Sequence, residues 1–234
     1  MKKFGFTLAE VLITMTIIGV VAALTTPALF HNAHNAQVGP KLAKIKSTIE
    51  NANQQLMQEE EIGRLPTIWS DLDQANDIEN RYIEMLSDHM RLEDNRGGTP
   101  VELNTYMGTQ LNDFNILGNN IDVDDLSTKL KIGTVEGANI AFVYINNALS
   151  LFFVDINGTN VPNRLGKDIF CFMLNDGGML TPFGDFDVNG ANGAFAWQAL
   201  CNPQNDPPVT NNAADGLACT ATIFANGLKV TYDD

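Results

Sequence analysis

The sequence predicts an α+β protein in which a long N-terminal helix packs on a small antiparallel β-sheet. Residues 11–30 carry no charge and are mostly apolar, which at about 1.5 Å per residue is enough for a helix that crosses a bilayer. Residues 41–57 then show the 3-4 spacing of an amphipathic helix. Short β-rich runs separated by turn residues occupy the second half of the chain, and they predict the sheet.

The net charge of the chain is −14, and it is unevenly distributed along the 234 residues. Residues 1–60 contain five Lys/Arg and four Asp/Glu, whereas residues 61–234 contain nine Lys/Arg and twenty-four Asp/Glu. An acidic second part repels phosphate backbones, so nucleic-acid binding is disfavoured. The same acidity is compatible with a role in solubility or with cation binding.

The apolar N-terminal segment contains one acidic residue, Glu10. Lys2 and Lys3 precede it, as they would in a secretory signal peptide or in a membrane anchor whose N-terminus stays inside. A signal peptide has a shorter apolar core than this segment and no acidic residue within it. A plain membrane anchor fits the length of the segment but gives Glu10 no role. Because a carboxylate is costly inside a bilayer, Glu10 is predicted to be a functional residue with a partner.

A third interpretation comes from the run GFTLAE at residues 5–10, which an apolar helix follows. This run resembles the N-terminus of type IV pilins and type II secretion pseudopilins. The resemblance implies that a prepilin peptidase cuts between Gly5 and Phe6 and that Phe6 becomes methylated. Gly19 and Pro27 match the glycine and proline that this family tends to carry in the same helix. The family's architecture, an α/β roll on a long helix, agrees with the predicted fold.

The resemblance divides the chain into four parts. These are a leader peptide 1–5, a transmembrane and polymerisation helix 6–30, the amphipathic second half of that helix 31–60, and a globular pilin-like head 61–234 with a C-terminal disulfide loop.

Cleavage after Gly5 would create a cationic amine on Phe6. In a bundle of staggered helices, Glu10 of one subunit would meet that amine on its neighbour, and the pairing would offset the cost of removing both charges from water. We therefore expect Glu10 to be an assembly residue.

Gly19 and Pro27 both weaken a helix interior, so the stretch between them is expected to be locally unstable. One interpretation is a segment that bends or opens when helices leave the membrane and pack in a fibre. The alternative is that the proline only kinks a membrane helix.

Two further helical segments are predicted. In the first, an apolar stripe is expected to lie on the sheet, and its members are Leu42, Ile45, Ile49, Ala52 and Leu56. Gly39 and Pro40 precede this stripe and are expected to interrupt or bend the helix. The second helix is expected to end near Arg91, with the apolar residues Ile78, Tyr82, Met85, Leu86 and Met90.

Five runs are predicted to be strands, namely residues 138–145, 148–154, 169–174, 220–224 and 229–232. Asn146 and Asn147 form a two-residue hairpin signal between the first two. Four or five antiparallel strands packed on the apolar stripe make an α+β roll.

Three cysteines follow an N-terminus that is predicted to be exported, so an oxidising compartment is expected. Cys201 and Cys219 flank a polar stretch rich in Pro and Asn, which indicates a disulfide-closed loop. Three cysteines allow three possible single bridges, and the spacing favours this one. Cys171 lies in an alternating apolar run and is expected to be a buried free thiol. The loop is similar to the disulfide-bounded C-terminal loop of many pilins.

Calcium is the cofactor that the loops of the head suggest. Asp185, Asp187 and Asn189 supply oxygen ligands at alternate positions before a glycine, as at the start of an EF-hand loop. Ala196 stands where an EF-hand has its bidentate Glu, so an EF-hand is rejected.

A second candidate calcium loop contains Asp155, Asn157 and Asp168. The resemblance supports calcium, since some pseudopilins bind it in a C-terminal loop. Asx-rich loops are also ordinary turns, and that interpretation stays open for both loops.

No enzyme is predicted, because the chain lacks a nucleophile elbow, a phosphate-binding loop and a dinucleotide fingerprint. The predicted function is a structural subunit of a type IV pilus-like fibre or type II secretion pseudopilus. The alternative is a membrane-anchored or secreted acidic binding module that does not polymerise. Expected partners are prepilin peptidase, identical or different pilin subunits, an inner-membrane assembly platform and membrane lipid. The expected location is the inner membrane with the head outside the cytoplasm, followed by a periplasmic or extracellular fibre.

Overall fold

The computed structural model of the chain describes residues 7–69, 72, 75–90, 114–116, 119–121, 132–135, 137–146, 149–157, 164–184, 201 and 216–232. The chain divides into two compact units, Met1–Gln37 and Val38–Asp234. Helix α1, Leu8–Glu59, contains 52 residues and contributes to both units.

In the first unit, α1 exposes its large apolar side chains. They are Leu8, Val11, Leu12, Ile13, Met15, Ile17, Ile18, Val20, Val21, Leu24 and Leu29. In the second unit, α1 carries a buried apolar stripe that faces the sheet, and its members are Val38, Leu42, Ile45, Ile49, Ala52 and Leu56. The predicted stripe is confirmed, and Val38 extends it by one helical turn.

Of the two predicted effects of Gly39 and Pro40, the interruption is wrong, since α1 stays helical through both residues, and the bend stays a prediction. Gly39 is buried, and a Cβ atom placed on it would lie 1.9 Å from the carbonyl oxygen of Leu228. The glycine therefore allows a close approach between α1 and the C-terminal backbone. The missing N–H of Pro40 would have bonded the carbonyl group of Ala36, which is exposed, so water can solvate that group.

A short 3-10 helix, Leu65–Trp69, and helix α2, Ala75–His89, follow α1. The second predicted helix is confirmed, and it ends close to the expected residue. Its buried face consists of Ile78, Tyr82, Ile83 and Leu86, with Met90 just after its end.

Seven strands are described. Strands β1, Phe114–Ile116, and β2, Asn119–Ile121, form a two-stranded antiparallel sheet. The main sheet is five-stranded and antiparallel, and its neighbours follow chain order: β3 Ile132–Val135, β4 Ala138–Asn146, β5 Leu149–Asp155, β6 Ile169–Leu174 and β7 Leu180–Pro182. The long N-terminal helix and this sheet give the expected α+β, pilin-like architecture.

The register of the main sheet aligns one aromatic row across three strands. Phe142 on β4 pairs with Phe152 on β5, which pairs with Phe172 on β6. Tyr82 of α2 packs on this row, with ring centroids 4.5 Å from Phe142 and 6.1 Å from Phe152. These rings are fully buried and form the centre of the core between the helices and the sheet.

The β4–β5 hairpin differs from its prediction by one residue. Asn146 still belongs to β4 and pairs with Leu149, whereas the predicted strand ends at residue 145. A register shift between Tyr144 and Asn146 accounts for the displacement, because it advances β4 by one residue before the turn.

The predicted strand pair at residues 220–224 and 229–232 is wrong. Residues Cys219–Ala225 form helix α3, and residues 229–232 are irregular. The Thr- and Ile-containing run favours a strand by propensity, but tertiary contacts decide its conformation. The N–H of Cys171 on β6 donates to Thr220 Oγ1 at 3.0 Å, and Ile223 enters the core.

A buried polar chain joins three parts of the second unit. The Tyr82 hydroxyl of α2 donates to Asn53 Oδ1 of α1 at 2.5 Å, and Asn53 Nδ2 donates to the carbonyl oxygen of Gly178 at 2.9 Å. Both Asn53 and Tyr82 are completely buried. Burial raises the pKa of the Tyr82 hydroxyl, which stays neutral and acts as a donor.

Candidate functional site

The candidate site is the N-terminal end of α1, where Glu10 lies in the first turn. Gly5 and Phe6, the predicted processing residues, lie outside the described residues. Thr7 immediately precedes α1, and it is the residue that contacts Glu10.

Thr7 and Glu10 form three hydrogen bonds. The Thr7 backbone N–H and the Thr7 hydroxyl each donate to Glu10 Oε2 at 2.8 Å. The Glu10 backbone N–H donates to Thr7 Oγ1 at 3.2 Å. The backbone-to-side-chain bonds run in both directions, which is the arrangement of a helix capping box.

The capping box has a signature in the sequence, Thr-x-x-Glu at residues 7–10, which the sequence analysis did not use. The partial positive charge at a helix N-terminus also favours an acid in the first turn. Glu10 therefore stabilises the start of its own helix before any partner is present.

The carboxylate of Glu10 keeps capacity for a further donor. A carboxylate offers about four lone-pair positions on two oxygens, and Thr7 uses Oε2. The side chain is exposed, and an ammonium group from another molecule could be accepted at Oε1 without breaking the cap.

Gly19 and Pro27 both lie inside α1, which is helical throughout. A Cβ atom placed on Gly19 would meet no atom within 4 Å, so no packing contact with the described residues requires a glycine there. The hydrogen bonds described for Glu10 are to Thr7.

Among the described residues, one helix is long and apolar enough to cross a membrane, by length and composition. This segment is Leu8–Thr26, and it begins two residues before Glu10. The most apolar stretch of this segment is not buried against any described part of the chain. The apolar surface around Glu10 is thus available to lipid or to other helices.

Cys201 and Cys219 form a disulfide, and Cys171 is a buried free thiol. The bridge closes a loop with a sequence separation of 18 and attaches it to the first residue of α3. Gly166 lies beside it, since a Cβ atom at this residue would be 2.7 Å from Cys219 Sγ. Burial raises the pKa of Cys171 well above its ordinary value, so the group is a thiol at neutral pH and a poor nucleophile.

The first calcium loop, with Asp185, Asp187 and Asn189, lies outside the described residues. Within the described ranges, no group of three or more His, Cys, Asp or Glu side chains is placed to hold a metal ion.

The second candidate calcium loop is described at its ends, and its acids make hydrogen bonds within the protein. Asp155 Oδ1 accepts the Asn157 backbone N–H at 3.1 Å. Asp168 Oδ2 accepts Asn157 Nδ2 at 3.0 Å, and Asp168 Oδ1 accepts the Arg164 N–H. The Asp155 contact is that of an Asx turn, and the Asp168 contacts join the two described ends of the loop.

Comparison with known proteins matches the N-terminus alone. Residues 1–26 match the family model described as the prokaryotic N-terminal methylation motif. This is the prepilin-type signal motif of type IV pilins and pseudopilins, and it confirms the resemblance of residues 5–10. No curated protein and no solved structure matches the chain significantly.

Proposed function

We propose that this chain, which carries the prepilin-type signal motif, is a structural subunit of a type IV pilus-like fibre or a type II secretion pseudopilus. The observation that carries the proposal is the methylation motif at residues 1–26, with helix α1 starting inside it at Leu8. A structural protein of this kind needs a folded head and a helix that serves both as membrane anchor and as the interface between subunits.

The first step of the proposed pathway is processing by prepilin peptidase. The enzyme cuts between Gly5 and Phe6, and Phe6 is then methylated on its new amine. The cut leaves two residues, Phe6 and Thr7, before Leu8, which is the first helical residue. Processing therefore leaves the Thr7–Glu10 capping box in the mature chain.

The second step is helix assembly through Glu10. The amine of Phe6 on one subunit approaches Glu10 on a neighbour, whose Oε2 already accepts two bonds from Thr7. A charge enclosed between apolar helices is tolerable when it is paired and costly when it is alone. The pairing thus fixes the axial register between subunits.

The apolar surface of α1 supports both the membrane-inserted subunit and the subunit assembled in the fibre. The segment Leu8–Thr26 inserts in the inner membrane, with Lys2 and Lys3 on the cytoplasmic side. An inner-membrane assembly platform then moves subunits from lipid into the fibre, where the same side chains contact homologous helices. The Cys201–Cys219 disulfide is consistent with a head outside the cytoplasm.

The head supplies the surface of the fibre in this proposal. Its described core is aromatic and apolar, and its free cysteine is buried and protonated. The disulfide stabilises the C-terminal part of the head, where pilin-like proteins present contact surfaces. Its acidic composition disfavours contacts with nucleic acid.

The N-terminus of the mature chain tests the proposal. The protein is expressed in cells with an active prepilin peptidase, purified from membranes and examined by intact and peptide mass spectrometry. We expect loss of residues 1–5 and one methyl group on Phe6. Gly5→Val should abolish the cut, whereas Gly19→Ala should leave it unchanged. A chain that still begins at Met1 would support the anchored module, and a start after the apolar segment would support a secreted one.

A further inference from the structure

The segment that follows α3, residues 228–232, buries and exposes its side chains in alternation. Alternate side chains are half-buried, namely Leu228, Val230 and Tyr232, and the two between them are exposed, namely Lys229 and Thr231. Val230 and Tyr232 pack against the core, and the Tyr232 hydroxyl donates to the Gly166 carbonyl oxygen at 2.5 Å. Burial with a period of two residues is the pattern of a β-strand that lies with one face on a core.

The backbone of this segment has no strand partner among the described residues. Residues 229–231 belong to neither sheet, and no backbone–backbone hydrogen bond joins them to another described residue. Val230, Thr231 and Tyr232 are residue types that favour strands. A β-prone segment whose N–H and C=O groups lack partners in the chain is a template for another strand.

The sequence of the segment is complementary to itself when two copies run antiparallel. With Thr231 opposite Thr231 of the second copy, Val230 lies opposite Tyr232, and Lys229 lies opposite Asp233. Directly opposite residues of an antiparallel pair share one face, so the apolar pair is on the core side and the charged pair faces water. The chain has a net charge of −14, yet this register places a lysine against an acid.

We propose that residues 229–233 are a docking edge for a second copy of this chain, whose same segment pairs with it antiparallel about Thr231. The chain bends at Tyr232, and the pairing straightens this bend. Each backbone gains hydrogen bonds that it lacks within its own chain, as in recognition by strand addition. The contact uses the same surface on both copies, so it closes with two subunits.

The contact is short, so the local concentration of the chain decides how much of it forms. About five residues a side is far fewer than the roughly 20–30 of a stable interface in solution. Chains held in one membrane have a higher effective concentration, which favours weak pairing. The edge belongs to the second unit and goes beyond the proposed function. An unprocessed chain keeps it, and its failure would leave the methylation motif and Glu10 unaffected.

Disulfide crosslinking of the full chain in membranes tests the register. Thr231→Cys places a new thiol opposite itself, with Cβ atoms about 4.5–5.5 Å apart, close enough for a bridge after a small shift. Lys229→Cys is the matched control on the same exposed face. Its two thiols would lie four residues apart along the paired strands, which is about 14 Å. We expect a dimer on non-reducing gels for Thr231→Cys and a monomer for Lys229→Cys.

The native cysteines do not interfere with this measurement, since Cys171 is buried and Cys201 is bonded to Cys219. Co-expression of a Lys229→Cys chain with an Asp233→Cys chain should yield the crosslinked heterodimer. Equal crosslinking of Thr231→Cys and Lys229→Cys alone would overturn the proposal, because it would indicate random collision. Absence of the Thr231→Cys dimer would also overturn it.

Charge reversal tests the pair between Lys229 and Asp233. In the Thr231→Cys chain, Lys229→Glu should lower the amount of dimer by about fivefold or more, because two opposite-charge pairs become like-charge pairs. Addition of Asp233→Lys makes the pairs opposite again and should restore the dimer. A Lys229→Glu chain that crosslinks as well as its parent would contradict the proposed register.

Discussion

Thr7 and Glu10 bind each other at the first turn of α1, with both Thr7 donors 2.8 Å from Glu10 Oε2 and the Glu10 N–H 3.2 Å from Thr7 Oγ1. The acid that makes this apolar segment unusual is therefore part of a helix cap. The same carboxylate stabilises the start of its own helix and has lone pairs left for a further donor.

Loss of the Thr7 hydroxyl should loosen the start of α1. Thr7→Val removes one donor to Glu10 and the acceptor for the Glu10 N–H, which should cost about 1 kcal/mol of local helix stability. Amide exchange of residues 8–11 in micelles measures this change, and Thr7→Ser is the matched control that should behave as wild type. Equal protection in the valine variant would show that the cap contributes nothing.

The Tyr82–Asn53 bond should contribute strongly to the stability of the head. Tyr82→Phe leaves Asn53 Oδ1 buried without this donor, and such a loss costs about 1–3 kcal/mol. Thermal unfolding of the full chain in detergent should show a lower Tm. Ser87→Ala, on the same helix but at its surface, should change stability by less than about 0.5 kcal/mol.

Gly39→Ala should destabilise the protein although alanine is the better helix former. The new methyl group would meet the Leu228 backbone at 1.9 Å, and backbone cannot move as cheaply as a side chain. We expect a cost of about 1–3 kcal/mol. Gly63→Ala has no atom within 4 Å of its new Cβ and should be neutral in the same melting experiment. A Gly39→Ala protein as stable as wild type would contradict this close approach.

Reduction of the Cys201–Cys219 bridge should lower the stability of the head. The chain-entropy model gives about 3 kcal/mol for a loop of this length. Dithiothreitol should therefore lower the Tm of wild type but not that of Cys201→Ser/Cys219→Ser.

Cys171 should react with maleimide at neutral pH only after unfolding, because burial raises its pKa. Rapid labelling of the native protein would contradict its burial.

The predictable parts of this protein are those in which one periodicity or motif dominates. The stripe from Leu42 to Leu56 faces the sheet as its spacing predicts, and three strands were located to within a residue. Residues 5–10 indicate the signal motif, and the Thr-x-x-Glu spacing within them also indicates the helix cap between Thr7 and Glu10.

The errors fall where long-range contacts override local preference. Glycine beside Pro40 favours a helix break by local preference, but the close approach of the Leu228 backbone, distant in sequence, is what requires a glycine at residue 39. Residues 220–224 have strand propensity, yet Thr220 receives the Cys171 N–H at the start of α3. Neither partner can be inferred from the local sequence.

In the proposed fibre, the N-terminal helix assembles subunits through Glu10. The most direct measurement is incorporation of processed Glu10→Ala into sheared fibres, quantified beside wild type, with Thr14→Val as a control for altered apolar packing. Processing after Gly5 and the amount of membrane-bound subunit are measured in the same cells. We expect Glu10→Ala to be processed and stable but absent from fibres, while Thr14→Val assembles. A processed Glu10→Ala subunit that polymerises as well as wild type would contradict the account.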